Sequence, residues 1–447
     1  MSKNTSRRKF IKGMLSSAAI GGILPGFSAK SYARIIGANN RINVAMVGVN
    51  SRGRSLAVNF ASQPNCRVSY IADVDTRAIA RCIDAVSKEQ SESPRGEEDF
   101  RRLLDNSSVD AFVMATPDHW HTPGVLLACQ AGKHVYVEKP VSTTPDEGEL
   151  LLKAAIRYPQ VVIQVGNQRR SWPNVIQAIQ EVHDGAIGKP YLGKGWYANN
   201  RPSIGIGKEV AVPPWLNYEL WQGPAIRKPF KDNLIHYNWH WFWNYGQGEL
   251  PGNGIHVLDL LRWGMQVDFP VRVSSTGGRY RYNDDWETPD TQIVNIEFEN
   301  NMIMTWEGRS CNGTPLFDNT VGLMFYGEKG SLLIGAGDHY TIFDLKGKVV
   351  KAVDSQFRVD PMNQRRPSQL LDALHIQDFF SGIRDGTRVR GGVDDAHKST
   401  LLCQLGNIAF RTQRTLETHP KDGSILNDSE ANMFWSKSYH HGFEPKL

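Results

Sequence analysis

The chain has 447 residues, with 51 Lys and Arg against 46 Asp and Glu, 40% hydrophobic residues, 22% charged residues and 5 Cys. At roughly 100–200 residues per domain this length implies two or three domains, and the composition excludes a disordered or collagen-like chain. Six basic residues and no acid fall within residues 1–33, so the formal charge of +5 leaves −1 on the remainder, a near-neutral body that argues against a nucleic-acid binder.

Ser6, Arg7, Arg8, Lys9 and Phe10 open a charged segment that is followed by a short apolar stretch from Gly13 to Leu24 and by Ser31-Tyr32-Ala33. This order describes a signal peptide over residues 1–33, and the paired arginines resemble the twin-arginine export address. The expected location is the periplasm or another exported compartment. No apolar run reaches the ~18 residues of a membrane span, so none is expected. Cys66, Cys82, Cys129, Cys311 and Cys403 are scattered, odd in number and without CxxC spacing, and read as buried apolar residues.

From Ile42 to Val47 a run rich in Val and Ile suits a strand buried on both faces. It leads into Gly48-Val49-Asn50-Ser51-Arg52-Gly53 and a helical stretch over Ser55–Ala61. A second strand, Val68–Ala72, ends at Asp73, 20 residues after Gly53. That is the spacing between a phosphate-binding turn and a ribose-binding acid. Backbone N–H groups at a helix N-terminus bind pyrophosphate, and a carboxylate at the end of the second strand accepts from both ribose hydroxyls while repelling a 2′-phosphate. The layout predicts NAD rather than NADP. Asn50 stands where G-x-G-x-x-G has its middle glycine; Asn tolerates left-handed backbone better than most residues, so the turn is expected to survive.

Val109–Thr116 reads as a third strand, ending in Thr116-Pro117-Asp118-His119-Trp120-His121. A helix over Pro123–Ala131 is closed by Gly132, and the strand His134–Val137 delivers Glu138-Lys139-Pro140. Repeated βα units predict a doubly wound parallel sheet with ligands at the carboxyl ends of its strands, where Thr116, Glu138 and Lys139 lie. The set G-x-N-x-x-G, Ala72-Asp73-Val74-Asp75, Thr116-Pro117-Asp118-x-x-His121 and Glu138-Lys139-Pro140 resembles the Gfo/Idh/MocA oxidoreductases, and the resemblance runs from about residue 40 onward. It implies an NAD-binding Rossmann domain over 40–166. The cofactor candidates are Gly48, Asn50, Ser51, Arg52, Gly53, Asp73, Thr116, Pro117, His121, Glu138 and Lys139.

Residues 167–447 then form a C-terminal domain. Helical patterning covers Val175–His183, Pro367–Ile383 and Asp394–Gln413. Strand patterning covers Tyr191–Tyr197, Gln292–Glu299, Met302–Arg309, Val321–Tyr326 and Ser331–Ile334, with Asn300-Asn301 as a hairpin turn. The overall class is therefore α/β: a Rossmann sheet plus an α+β domain with a largely antiparallel open sheet. An insert over about 199–250 is rich in Pro, Trp, Asn and His, and includes the run His236–Trp243. It reads either as a strand with one face buried or as an aromatic platform for sugar rings, and the two can both hold.

After the insert, His256 and Asp259 share one face of a helix. The resemblance implies that Lys139 and His256 flank the reacting carbinol. An aspartate usual in the family four residues before the histidine is replaced here by Gly252. Trp239, His240, Asn253 and Asp259 are the substrate-binding candidates. No metal site is expected: His236 and His240 lack the glutamate of a zinc protease helix, and the other His pairs lack a third ligand. The reading is an NAD-dependent oxidoreductase acting on a sugar, glycoside or cyclitol hydroxyl, with a tightly held cofactor because an exported protein meets no maintained NAD pool. The alternatives are a redox-neutral NAD-dependent glycoside hydrolase, working by oxidation, elimination, addition and reduction, and a non-catalytic sugar sensor. A homo-oligomer, dimer or tetramer, is expected.

Overall fold

A six-stranded sheet carries the first half of the chain, in the order β3-β2-β1-β4-β5-β6 with every pair parallel. The computed structural model describes residues 41–355, 357 and 367–447, so the export signal over 1–33 lies outside the described residues. The strands are β1 (Ile42–Val47), β2 (Cys66–Ala72), β3 (Arg95–Glu97), β4 (Ala111–Met114), β5 (His134–Val137) and β6 (Ile163–Val165); between them run α1 (Arg52–Ala61), α2 (Thr76–Val86), α3 (His121–Gln130) and α4 (Pro145–Arg157). Val44, Met46, Phe112 and Val135 have no exposed surface, because helices cover both faces and both side-chain directions must be apolar. Strand order reverses between β1 and β4, which opens a crevice beyond their carboxyl ends.

The rest of the chain builds a nine-stranded sheet in the order β14-β13-β12-β11-β7-β10-β9-β8-β15. Its strands are β7 (Pro190–Ala198), β8 (Arg272–Gly278), β9 (Thr291–Phe298), β10 (Met302–Arg309), β11 (Val321–Gly327), β12 (Gly330–Ile334), β13 (Tyr340–Asp344), β14 (Val349–Val353) and β15 (Leu416–Glu417). The β7–β10 pair is parallel and the other pairs are antiparallel. On β9, Gln292, Val294, Ile296 and Phe298 face inward and alternate with solvent-side neighbours. The turn into β10 uses Asn300 and Asn301 at φ 67° and 59°, which Asn adopts at low cost.

Helices α5 (Pro173–His183), α6 (Ile255–Met265) and α8 (Val393–Thr412) cover the inner face. Glycines set how closely α6 approaches. A Cβ on Gly193 would stand 2.9 Å from Leu261 Cδ2, and one on Gly195 would stand 2.8 Å from Val257 Cγ2. Larger residues on β7 would lift α6, and His256 with it.

Two expectations need amendment. The division at residue 166 is not clean, because α7 (Pro367–Asp385) places Ile376, Phe379 and Phe380 in the same core as β1, β4 and α1 of the first sheet. The aromatic run is also not a strand: Asn238–Trp241 is a single 3₁₀ turn, and the insert has its own small core of Leu216, Tyr218, Trp221, Phe230 and Tyr245. Large rings supply that core without strand alternation. The five cysteines are free, and all but Cys66 are buried. Among the described residues no helix is long and apolar enough to cross a membrane.

Candidate active site

The turn from β1 to α1 forms a cradle that only glycine permits. Gly48 has φ +77°, and a Cβ there would stand 2.7 Å from the Thr116 nitrogen; a Cβ on Gly53 would stand 1.8 Å from the Gly48 carbonyl oxygen. Asn50 keeps a negative φ, so the expected reason for its tolerance is corrected: the position needs no left-handed backbone. Its Oδ1 accepts from Arg81 Nη2 at 3.0 Å. Ser51 and Pro117 line the same cavity.

Asp73 stands where the ribose acid was expected, at the end of β2. Its Oδ2 accepts from the Val49 N–H at 2.6 Å and its Oδ1 from the Asp75 N–H at 2.9 Å. Burial pushes this carboxyl above the usual range against those two backbone donors. About four acceptor positions exist on a carboxylate, so capacity remains for ribose hydroxyls. Asp75 accepts from His236 Nε2 at 2.7 Å and from Arg77 Nε at 3.1 Å, and the Arg77 guanidinium lies 3.2 Å over the Trp215 ring. Arg77 is thus engaged by a carboxylate, and Asp73 at the ribose position suits an unphosphorylated 2′-hydroxyl. Two further donors on the cavity wall, Thr116 Oγ1 and Arg52 Nη2, are buried without a partner. Buried donors need acceptors, and a dinucleotide in the cavity supplies them. The residues present fit NAD.

The insert closes the opposite side of this cavity with Leu220, Trp221, His236, Tyr237, Trp239 and His240. Trp120 ties insert to sheet, its Nε1 donating to the Leu220 and Trp221 carbonyls at 3.2 Å. His121 lines the cavity, but both ring nitrogens face carbonyls, Pro140 at 2.6 Å and Thr116 at 2.9 Å. Burial keeps the ring neutral, so it donates to one of these two carbonyls, and both ring nitrogens face backbone.

A second space adjoins the first through Arg52, Glu138, Lys139 and Gly252, and is walled by Tyr237, His240, Trp241, Asn253 and His256. Lys139 and His256 therefore share one cavity. Lys139 Nζ donates to the Gly252 carbonyl at 2.7 Å. Gly252 sits in a π-turn over Leu250–Gly254 that leads into α6, and such turns recur at functional sites. Where the family usually presents a carboxylate, this chain presents a peptide oxygen. Burial first, then the charges of Lys139, Arg169 and Arg52, push the His256 imidazole well below its ordinary value, so it is neutral, and its protonated form is costly beside these cations. His240 is likewise held down to about 3 by burial, its Nδ1 within 2.6 Å of the Tyr237 carbonyl and its ring stacked 3.6 Å from Trp239.

The substrate candidates divide. His240 and Asn253 line the second space, while Trp239 lines only the cofactor side, and Trp241 beside the second space is buried, stacked 3.9 Å from Trp286 with the Arg201 guanidinium 4.9 Å from its ring. Asn253 donates to Glu249, a 4% exposed carboxylate that also accepts from Arg201 Nε at 2.9 Å. Asp259 is corrected outright. Its carboxylate accepts from Arg170 Nε at 2.7 Å and Nη2 at 2.9 Å, and from Ser399 Oγ at 2.6 Å, and it lines neither space. One turn along α6 from His256 was enough to point it into the core.

Two groups escaped the sequence reading. Glu249 carries no motif. Asp118 lay inside a quoted motif, yet only its burial beside the cavity, which pushes its carboxyl up to about 7 against the pull of Lys139, marks it as unusual. Among the described residues no group of three or more His, Cys, Asp or Glu could hold a metal ion.

Comparison with known proteins agrees with this geometry. Residues 42–167 match the family model for the oxidoreductase family, NAD-binding Rossmann fold, and residues 201–304 match that for its C-terminal alpha/beta domain. The chain is 33% identical over 182 residues to a glycosyl hydrolase family 109 protein of Saccharopolyspora erythraea, covering 40% of this chain and 39% of that one. It is 32% identical over 177 residues to an inositol 2-dehydrogenase of Rubrobacter xylanophilus, covering 39% and 49%. The match thus spans half or less of these relatives' length. A levoglucosan dehydrogenase solved with NADH and levoglucosan shares the fold, with TM-score 0.67 at 17% identity over 84% of this chain and 99% of that one. The chain belongs to the Gfo/Idh/MocA family of NAD-binding oxidoreductases.

Proposed function

We propose that this protein is an NAD-dependent oxidoreductase acting on a hydroxyl of a sugar, glycoside or cyclitol, with its cofactor held under the insert. The observation that carries the reading is the single cavity shared by Lys139 and a neutral His256, continuous with the cradle at Gly48–Gly53. Gly48–Gly53, Asp73 and Thr116 would hold NAD, which would supply a hydride acceptor when bound. His256 takes the hydroxyl proton as general base. Lys139, fixed by the Gly252 carbonyl, stabilises the alkoxide that develops. The polar lining of the second space, Gln168, His240 and Asn253 beside Lys139 and His256, supports the reading of a substrate rich in hydroxyls.

A second reading, redox-neutral cleavage of a glycoside, is favoured by the cover over the cofactor and by the name of the glycosyl hydrolase relative. Arg7-Arg8 and the segment behind them support export through the twin-arginine route. Ile293 and Ile303, 45% and 42% exposed on the outward face of the nine-stranded sheet, support self-association there. The test is a panel of free sugars, cyclitols and aryl glycosides, assayed with and without added NAD. Replacing Lys139 with Met is expected to lower turnover by roughly 10³-fold or more while sparing NAD binding; a K139M enzyme with full activity refutes the assignment. Aglycone release without added NAD selects the second reading.

A further inference from the structure

We propose that Asp372 is a positioning residue for the cofactor site, acting through Arg52. Asp372 lies on α7, beyond both stretches that match the family models, and nothing in its local sequence marks it. Its Oδ2 accepts from Arg52 Nη1 at 2.7 Å, while Arg52 Nε donates to Glu138 Oε1 at 2.8 Å. One guanidinium at the start of α1 thereby joins three elements: the phosphate-binding turn, the Glu-Lys-Pro segment after β5, and a helix that arrives from the far end of the chain.

The burial pattern says why a third partner is needed. The side chains of Glu138 and Asp372 are 7% and 8% exposed, against 35% for Arg52. Glu138 is pinned on its other side, since a Cβ on Gly166 would meet its carboxyl at 3.0 Å. Arg52 alone could swing about Glu138, but a second carboxylate at right distance on α7 fixes the plane of the guanidinium. With Nε and Nη1 committed, Nη2 is the group left buried without a partner on the wall shared by both cavities. Asp372 therefore holds Arg52 in place at the cofactor wall instead of merely neutralising it. The inference rests on the NAD site and is independent of which substrate is turned over.

The test is a double-mutant cycle on the full chain, read by NADH fluorescence titration. Asp372→Asn is expected to weaken NADH binding about tenfold, the scale of one charge-assisted hydrogen bond to a ligand. In an Arg52→Gln background the same change is expected to add less than about twofold, because the group it positions is gone. Asp372→Glu keeps the charge and is expected to stay within about threefold of the parent. Equal losses from Asp372→Asn in both backgrounds would show a general packing role of α7 and overturn the proposal, as would unchanged NADH affinity. Should Asp372→Asn fail to fold, the Asp372→Glu and Arg52→Lys variants decide it: an Arg52→Lys protein that binds NADH as the parent does removes the need for a held guanidinium.

Discussion

Replacing Asp259 with Ala separates a structural carboxylate from a substrate ligand. Asp259 and Arg170 have side chains 3% and 6% exposed, joined at 2.7 Å and 2.9 Å, with Ser399 Oγ as a third partner. Removing one member of a buried pair leaves the other charged and desolvated, which costs about 3–5 kcal/mol. Arg170 keeps one weaker neighbour, Asp395 at 3.4 Å, itself 28% exposed, so the low end, about 3 kcal/mol, is expected. Urea denaturation followed by intrinsic fluorescence measures the loss as a lower midpoint at unchanged slope. NADH affinity of the folded fraction should be unaltered. The double variant Asp259→Leu with Arg170→Met should recover most of the loss, since an apolar pair of similar volume can replace a buried ion pair. A D259A protein of parental stability, with KM for its substrate raised tenfold or more, would refute the reasoning and restore Asp259 to the substrate site.

Gly53→Ala is expected to abolish NADH binding, because its methyl group would fall 1.8 Å from the Gly48 carbonyl oxygen and the cradle must open; a titration showing parental affinity would contradict this. Acid should destabilise the fold early. Burial holds His119 down to about 3 and His375 and His397 down to about 4, so below pH ~6.5 the unfolded chain binds protons that the folded chain refuses. Stability is then fully present above pH ~6.5 and lost progressively toward pH ~4, by roughly 1 kcal/mol per pH unit for each imidazole. Thermal melts at half-unit pH steps check the sign; a flat profile between pH 6.5 and 4.5 would contradict it. Because His256 is likewise held neutral, the acid limb of activity should lie well below pH 6.5, as pH–rate profiles measure.

Much of the cofactor half was legible because its constraints are local. Ile42–Val47 and His134–Val137 form strands with the expected bounds, and Gly53 is demanded by a contact within its own βα unit, whereas Gly48 is demanded by Thr116 after β4. The substrate half was harder. Asp259 shared a helix face with His256 in sequence, but whether that face meets a cavity or a buried arginine depends on Arg170, 89 residues away. The run His236–Trp243 looked like a strand because Trp and His alternate there, yet Trp239 and Phe242 pack against the insert's own core while Trp241 stacks on Trp286, and packing overrode the pattern. Gly252 read as a lost carboxylate; only the folded chain shows its carbonyl taking the lysine. Asp372 was invisible, since a long-range ion pair leaves no periodic trace.

The central claim is that NAD sits beneath the insert, against Arg52, Asp73 and Lys139, and stays there. The direct test is to purify the full chain without added nucleotide, denature it, and identify what is released by absorbance and mass. The account predicts NAD or NADH in near-stoichiometric amount. A protein that releases no nucleotide, and that binds none when NADH is titrated in, would contradict it.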